Sequence, residues 1–133
     1  MKGYVDNIEQ QTKRNTDFRR VLYTGAHLQL VLMTLQAGED IGAEVHDDRD
    51  QFFRVEEGSG SVEIDGVKHA VEDDDAIIVP AGARHNVINT GTGPLRFYTV
   101  YGPPEHKDGT VHATKADAEA NHEADHWDGK TSE

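Results

Sequence analysis

Hydrophobic and polar positions alternate in short runs between residues 19 and 102, and each run stops at a turn residue. Residues 19–24 end at Gly25-Ala26, and the β-branched and apolar run 27–35 follows. Gly38 and Gly42 bracket a polar turn before 43–46. Residues 51–56 are halted by Gly58, 59–64 lead into Asp65-Gly66, and 67–71 come next. Residues 76–79 end at Pro80, 86–89 end before Gly91, and 95–101 end at Gly102-Pro103-Pro104. Alternation with a period of two marks half-buried strands, and Asp-Gly between two such runs marks a tight hairpin. Nine short strands punctuated in this way predict an all-β antiparallel barrel or sandwich.

The flanks read differently. A short helix is expected within 7–14, in a polar N-terminal arm. After Pro104 the Ala-rich stretch 114–120 favours a helix with Thr114 as its N-cap, and 127–133 reads as a frayed end.

With 133 residues the chain is one domain, 1–133, with the barrel at about 19–102 and a lid and tail at about 103–133. Lys plus Arg number 13 against 25 Asp plus Glu, a net charge of -12. Such a surface repels phosphate backbones and anionic lipid, which argues against nucleic-acid and membrane partners and leaves a small-molecule substrate. The chain has no cysteine, so disulfides, iron–sulfur clusters, thiolate nucleophiles and Cys-ligated zinc are excluded. The N-terminus lacks the apolar run of a secretory signal, and the longest apolar stretch, about 28–35, falls short of the ~20 residues of a membrane span. A soluble, cytoplasmic protein is expected.

Eight histidines in a cysteine-free chain direct attention to metal chemistry. One cluster runs Gly38-x5-Glu44-x-His46-x4-Gln51-x6-Gly58. Residues two apart on a strand share a face, so Glu44 and His46 project together, and a short loop brings Gln51 beside them. The second cluster, Pro80-x-Gly82-x2-His85-x3-Asn89, sets another imidazole at the start of a later strand. Two His, one carboxylate and one amide oxygen converging inside a barrel make a mixed nitrogen and oxygen site for a divalent metal.

These clusters resemble the two conserved motifs of the cupin superfamily, Gly-x5-His-x-His-x3,4-Glu-x6-Gly and Gly-x5-Pro-x-Gly-x2-His-x3-Asn. Gly38, His46, Gly58, Pro80, Gly82, His85 and Asn89 fit the framework, and the likeness covers about residues 19 to 102. More closely, the chain is similar to small single-domain cupins of the mannose-6-phosphate isomerase-like type. Its marks are Glu44-Val45-His46, 50–58, 85–91 and Pro103-Pro104-Glu105-His106. Three positions depart from the pattern: Glu44 replaces the first His, Gln51 the Glu, and Asp74 the Gly of the second motif. The ligand set Glu44, His46, Gln51 and His85 keeps the single negative charge of three His and one Glu, while one nitrogen donor becomes oxygen. Such a set favours manganese, iron(II) or zinc over copper. Asp50, one residue earlier, is the alternative ligand, because the motif spacing is three or four.

The resemblance implies a jelly-roll barrel with an N-terminal arm and a short C-terminal helical tail, a homodimer, and one divalent metal ion. It further implies a metal-dependent enzyme on a small carbohydrate or keto/hydroxy compound, most concretely sugar isomerisation through an enediol. The alternatives are a non-catalytic metal- or ligand-binding cupin and an iron-dependent dioxygenase. Glu44 serves as ligand or base. His106 is either the acid or base of a lid over the barrel mouth or part of a surface turn. Met33, Phe53 and Tyr98 are assigned either to the cavity lining or to core packing, and Arg54 and Arg84 are the cations considered for a phosphate group. His122 and His126, four apart, could share a helix face for a metal or simply face solvent, and the acidic run 72–75 reads as an exposed turn.

Overall fold

The computed structural model describes residues 1–133. Ten strands form two antiparallel sheets packed as a barrel: β1 (Arg19–Thr24), β2 (Gln29–Leu35), β3 (Glu44–Val45), β4 (Asp50–Glu57), β5 (Ser59–Ile64), β6 (Val67–Glu72), β7 (Ala76–Val79), β8 (Arg84–Ile88), β9 (Leu95–Gly102) and β10 (Val111–His112). One sheet has the order β10-β1-β2-β9-β4-β7 and the other β3-β8-β5-β6. Helices α1 (Ile8–Arg14) and α2 (Lys115–Ala120) flank the barrel sequence.

Local chemistry explains most of these boundaries. The Asn7 side chain accepts the Gln10 N–H at 3.0 Å and starts α1. Thr114 and Asp117 form a reciprocal capping box at the head of α2. Asp65 and Gly66 both adopt left-handed φ, 47° and 82°, which a two-residue hairpin between β5 and β6 requires. Gly58 is needed for a second reason besides its φ of +95°: a Cβ there would stand 2.5 Å from the Pro94 carbonyl oxygen.

The inward face changes character along the barrel. On β9, Leu95, Phe97, Thr99 and Tyr101 are buried while Arg96, Tyr98 and Val100 alternate outward. Cross-strand register sets Val55 opposite Phe97, Phe53 opposite Thr99, and Gln51 opposite Tyr101. Gln29 lies opposite Tyr101 on the other side. One end of the interior is therefore apolar, built on Val31, Met33, Leu35, Val55 and Phe97, and each such side chain contributes roughly 1.5–3 kcal/mol on burial. The other end is a layer of buried polar groups.

Two features go beyond the sequence expectation. β10 adds a tenth strand: Val111 and His112 pair with Arg20 and Arg19 inside the stretch expected to follow the last strand as loop. The end of the chain is also not frayed. The Thr24 carbonyl accepts the Ser132 N–H at 2.9 Å, and the Glu133 carboxylate accepts the Tyr23 hydroxyl and the N–H groups of Lys2 and Gly3. These partners lie far away in sequence, so local composition gives no hint of them. No helix is long and apolar enough to cross a membrane.

Candidate metal centre

Three strands and one turn bring the donor residues together. β3 pairs with β8 so that Glu44 lies directly opposite His85. His46 follows Glu44 by two residues, and its carbonyl accepts the Gly82 N–H at 2.8 Å, tying it to the turn that leads into His85. Gln51 points inward from the start of β4. The Glu44, His46 and His85 ligand atoms all lie within 4.8 Å of one another, and the two imidazole centroids are 5.5 Å apart.

Both histidines are oriented from behind. His85 Nδ1 lies 3.1 Å from the Ala83 carbonyl oxygen, which fixes the proton on Nδ1 and leaves Nε2 as an acceptor. His46 Nδ1 lies 3.6 Å from Glu105 Oε2, and its Nε2 is 3.0 Å from Glu44 Oε2. An imidazole whose far nitrogen faces a carbonyl or carboxylate while the near one faces other donors is arranged as metal-ligating histidines are.

Gln51 supplies an independent test of fit. It is only 3% exposed. Its Nε2 donates to Thr99 Oγ1 at 2.9 Å, and that hydroxyl donates to the Phe52 carbonyl at 2.8 Å. The amide is thereby fixed in one orientation, with Oε1 buried and without a donor. Leaving a buried acceptor unsatisfied costs roughly 1–3 kcal/mol. Glu44, His46 and His85 make a donor set that fits a divalent metal, and a cation held there within reach of Gln51 Oε1 would satisfy that oxygen as well. Asp50 faces the opposite way, its Oδ1 accepting the Ala81 N–H at 2.8 Å.

Electrostatics follow from this packing. Burial alone would raise the Glu44 pKa, but the His46 hydrogen bond and the charges of His46, Arg19 and His85 outweigh it and hold the carboxyl below its ordinary range. Burial would lower His46, yet Glu44 and Glu105 together raise it. Tyr101 is fully enclosed and its hydroxyl pKa is pushed upward, chiefly by burial. His106 is held well below its ordinary value, chiefly by burial and then by the Arg19 charge and the neighbouring imidazoles, so it is neutral at neutral pH.

The other sequence-derived residues separate into two groups. His106 comes close to the site: its Nε2 is 3.3 Å from the Tyr101 hydroxyl, and the Tyr101 ring packs edge-on to His46 at 6.0 Å. Its backbone is pinned at both N–H and carbonyl by the buried Gln29 amide, so this segment is a tied turn in the structure and not a loose flap. Phe53 lies one layer below, its centroid 6.4 Å from His85. Met33 packs in the apolar core and Tyr98 stands on the outer face against Phe52, so neither lines the site. Alternation on β9 puts Tyr101, and not Tyr98, on the inside.

Arg54 pairs outside with Glu56 and Asp74, and Arg84 is exposed. Asp74, at the Gly position of the second motif, takes a φ of 73° in the turn after β6. His27 and His69 are exposed, while His112 is buried against Asp125.

A cleft of about 230 Å³ opens beside Glu44, walled by Arg19, Ile41, Lys115, Ala118 and His122 among others. His126 lies behind its rim, with Nδ1 3.5 Å from Glu105 Oε1. Three groups here escape sequence reasoning: Glu105, Tyr101 and Arg19. Glu105 also binds the Arg49 guanidinium. Only Tyr101 carried a readable signal, the strand alternation itself.

Residues 31–101 match the cupin domain family. The chain is 53% identical over 125 residues to the uncharacterized protein YrkC of Bacillus subtilis strain 168, covering 90% of this chain and 67% of that protein. The crystal structure of BH2720 from Bacillus halodurans superposes with a TM-score of 0.88 at 54% identity, covering 90% of this chain and 95% of that one. A stretch of 110 residues is 31% identical to mannose-1-phosphate guanylyltransferase of Escherichia coli K12, covering 75% of this chain and 23% of that enzyme.

Proposed function

The chain belongs to the cupin domain family, and from that premise we propose that it is a metal-dependent enzyme acting on a small carbohydrate or keto/hydroxy compound. Its most concrete form is an isomerase that moves a proton between carbons next to a carbonyl. The observation that carries this reading is the Glu44, His46 and His85 cluster, with Glu44 reaching an open cleft, together with a Gln51 amide oxygen buried without a donor. A set of two imidazoles, one carboxylate and one amide suits zinc, manganese or iron(II). Bound there, such an ion supplies Lewis acidity, polarising a carbonyl or hydroxyl and easing loss of the adjacent proton.

The chain's own groups do the rest. His85 presents Nε2 in a fixed orientation, held by Ala83, while His46 lies between Glu44 on Nε2 and Glu105 near Nδ1. Glu44 is ionised and borders the cleft, so its carboxylate is either a fourth donor or the base that takes the proton. His106, neutral and 3.3 Å from the Tyr101 hydroxyl, is the acid–base candidate at the edge of the site, and the Tyr101 ring packs against His46. Phe53 and Tyr101 keep the interior side dry. The stretch shared with mannose-1-phosphate guanylyltransferase supports a sugar-derived substrate.

Two measurements test the reading. Elemental mass spectrometry of tag-free protein should find near-stoichiometric metal in wild type and none in His46→Ala or His85→Ala. The loaded wild type should then wash deuterium from D2O into the carbon next to the carbonyl of small aldoses, ketoses or hydroxyketones. A wild type that takes up no zinc, manganese or iron(II) would refute the metal site. Loaded protein with no exchange on any such compound would refute the isomerase form.

A further inference from the structure

Arg19 sits in the cleft wall as a cation with no carboxylate at ion-pair distance; Glu44, across the cleft, feels its charge without touching it. It is 7% exposed and lies over the Phe18 ring, 5.3 Å from its centroid. Its one hydrogen-bond partner is Nδ1 of His112, at 3.4 Å, and its buried Nε has none. A buried guanidinium left this way is expensive, because water has been removed and no carboxylate replaces it.

The neighbours hold the group in place without neutralising it. His112 Nε2 lies 2.7 Å from Asp125 Oδ2, so the ring proton sits on Nε2 and the bare Nδ1 accepts from Arg19 Nη1. Arg19 and His112 are direct partners across β1 and β10, which sets the approach of the two side chains. The Asp125 charge therefore meets Arg19 only through a neutral ring. Lys115, the other cation lining the cleft, is already taken by Asp40. Glu44, across the same cleft, is hydrogen-bonded to His46.

We propose that Arg19 anchors the carboxylate of a small hydroxy or keto acid in this cleft, with the acid's neighbouring oxygen directed at Glu44, His46 and His85; this assignment rests on the metal site proposed above. A planar guanidinium fork matches a planar carboxylate in two parallel bonds. The acidic side chains Glu44 and Glu119 in the same lining oppose a phosphate dianion. Phe18, Ile41 and Ala118 offer an apolar patch for the carbon skeleton. At about 230 Å³ the cleft suits a molecule of a few carbons, since drug-sized ligands need about 300–1,000 Å³.

The test is a titration of metal-free and zinc-loaded wild type with pyruvate, glycolate and malonate, following the Arg19 Nε–H resonance by NMR. Pyruvamide, glycolamide and inorganic phosphate serve as comparison ligands. The three carboxylates should move that resonance saturably and the amides should leave it in place. Arg19→Gln should weaken carboxylate binding about tenfold or more, with zinc content unchanged, and Arg19→Lys should recover part of the loss. An unmoved resonance, carboxylate binding that survives Arg19→Gln, or phosphate binding tighter than all three acids would each overturn the assignment. If Arg19→Gln does not fold, the wild-type resonance and the amide controls decide alone. If wild type takes up no zinc, the metal reading fails by itself, and the metal-free titration still decides for or against Arg19.

Discussion

His46 and Glu105 face each other across the mouth of the barrel, Nδ1 to Oε2 at 3.6 Å, and the same carboxylate holds the Arg49 guanidinium. Glu44 holds the other ring nitrogen, Nε2, at 3.0 Å, so the two carboxylates bracket the His46 ring. Glu105→Gln should keep an acceptor for Arg49 but weaken the hold on the imidazole. Metal affinity is expected to fall about 10–100-fold, measured by competition with a chelator of known affinity. Glu105→Ala leaves Arg49 without its buried partner and should cost about 3 kcal/mol in urea unfolding.

Gln51 gives a prediction with opposite signs in two assays. Gln51→Leu removes the orphaned buried oxygen, so metal-free protein should gain about 1 kcal/mol of stability by urea unfolding. The same change removes one donor, so metal affinity should drop by at least about tenfold. A variant that loses stability in the metal-free state would show that the lost Gln51–Thr99 hydrogen bond outweighs the relief of the buried oxygen.

Gly58→Ala should be severely destabilising. The residue needs a left-handed φ, and the new methyl would meet a backbone carbonyl that cannot swing aside. A loss of about 2 kcal/mol or more is expected by thermal or urea unfolding.

Asp40 links α2 to the strand layer, accepting from Lys115 and from the Asn86 amide, and its carboxyl is held below the ordinary range chiefly by the Lys115 hydrogen bond. A lowered folded-state pKa stabilises the fold above the unfolded value of about 3.9 and loses that contribution as pH falls through the folded value. The pair is partly exposed, so solvent screening limits it to about 0.5 kcal/mol. Asp40→Asn should therefore be less stable than wild type at pH 7, with the difference closing below about pH 4.

The nine strands were legible because the barrel is built from alternating runs stopped by Gly, Pro and Asp-Gly, and each stop does its work locally. Thr114 was legible as a cap for the same reason, while Asn7, expected to open the first helix, is its N-cap. Glu44, His46 and His85 could be grouped because strand periodicity and a short turn suffice to bring them together. Arg19 and Glu105 could not be found this way. Arg19 acquires its meaning only from His112, which reaches it through a two-residue strand too short to show a period. Glu105 meets His46 only after the chain has turned back over the mouth. Tyr98 was misassigned although the information was present: Leu95 and Phe97 set the inward phase of β9, and that phase includes Tyr101.

The donors at the proposed metal position all come from the stretch 44–85, whereas most of the cleft wall, Phe18, Arg19, Lys115, Ala118, Glu119 and His122, lies outside the family-matched stretch 31–101. Reactivity and recognition are thus encoded on separable lengths of chain. Exchanging only the wall would retune which molecules enter while leaving the ion-binding frame intact, so a chimera carrying a foreign rim on this barrel is a direct route to altered selectivity.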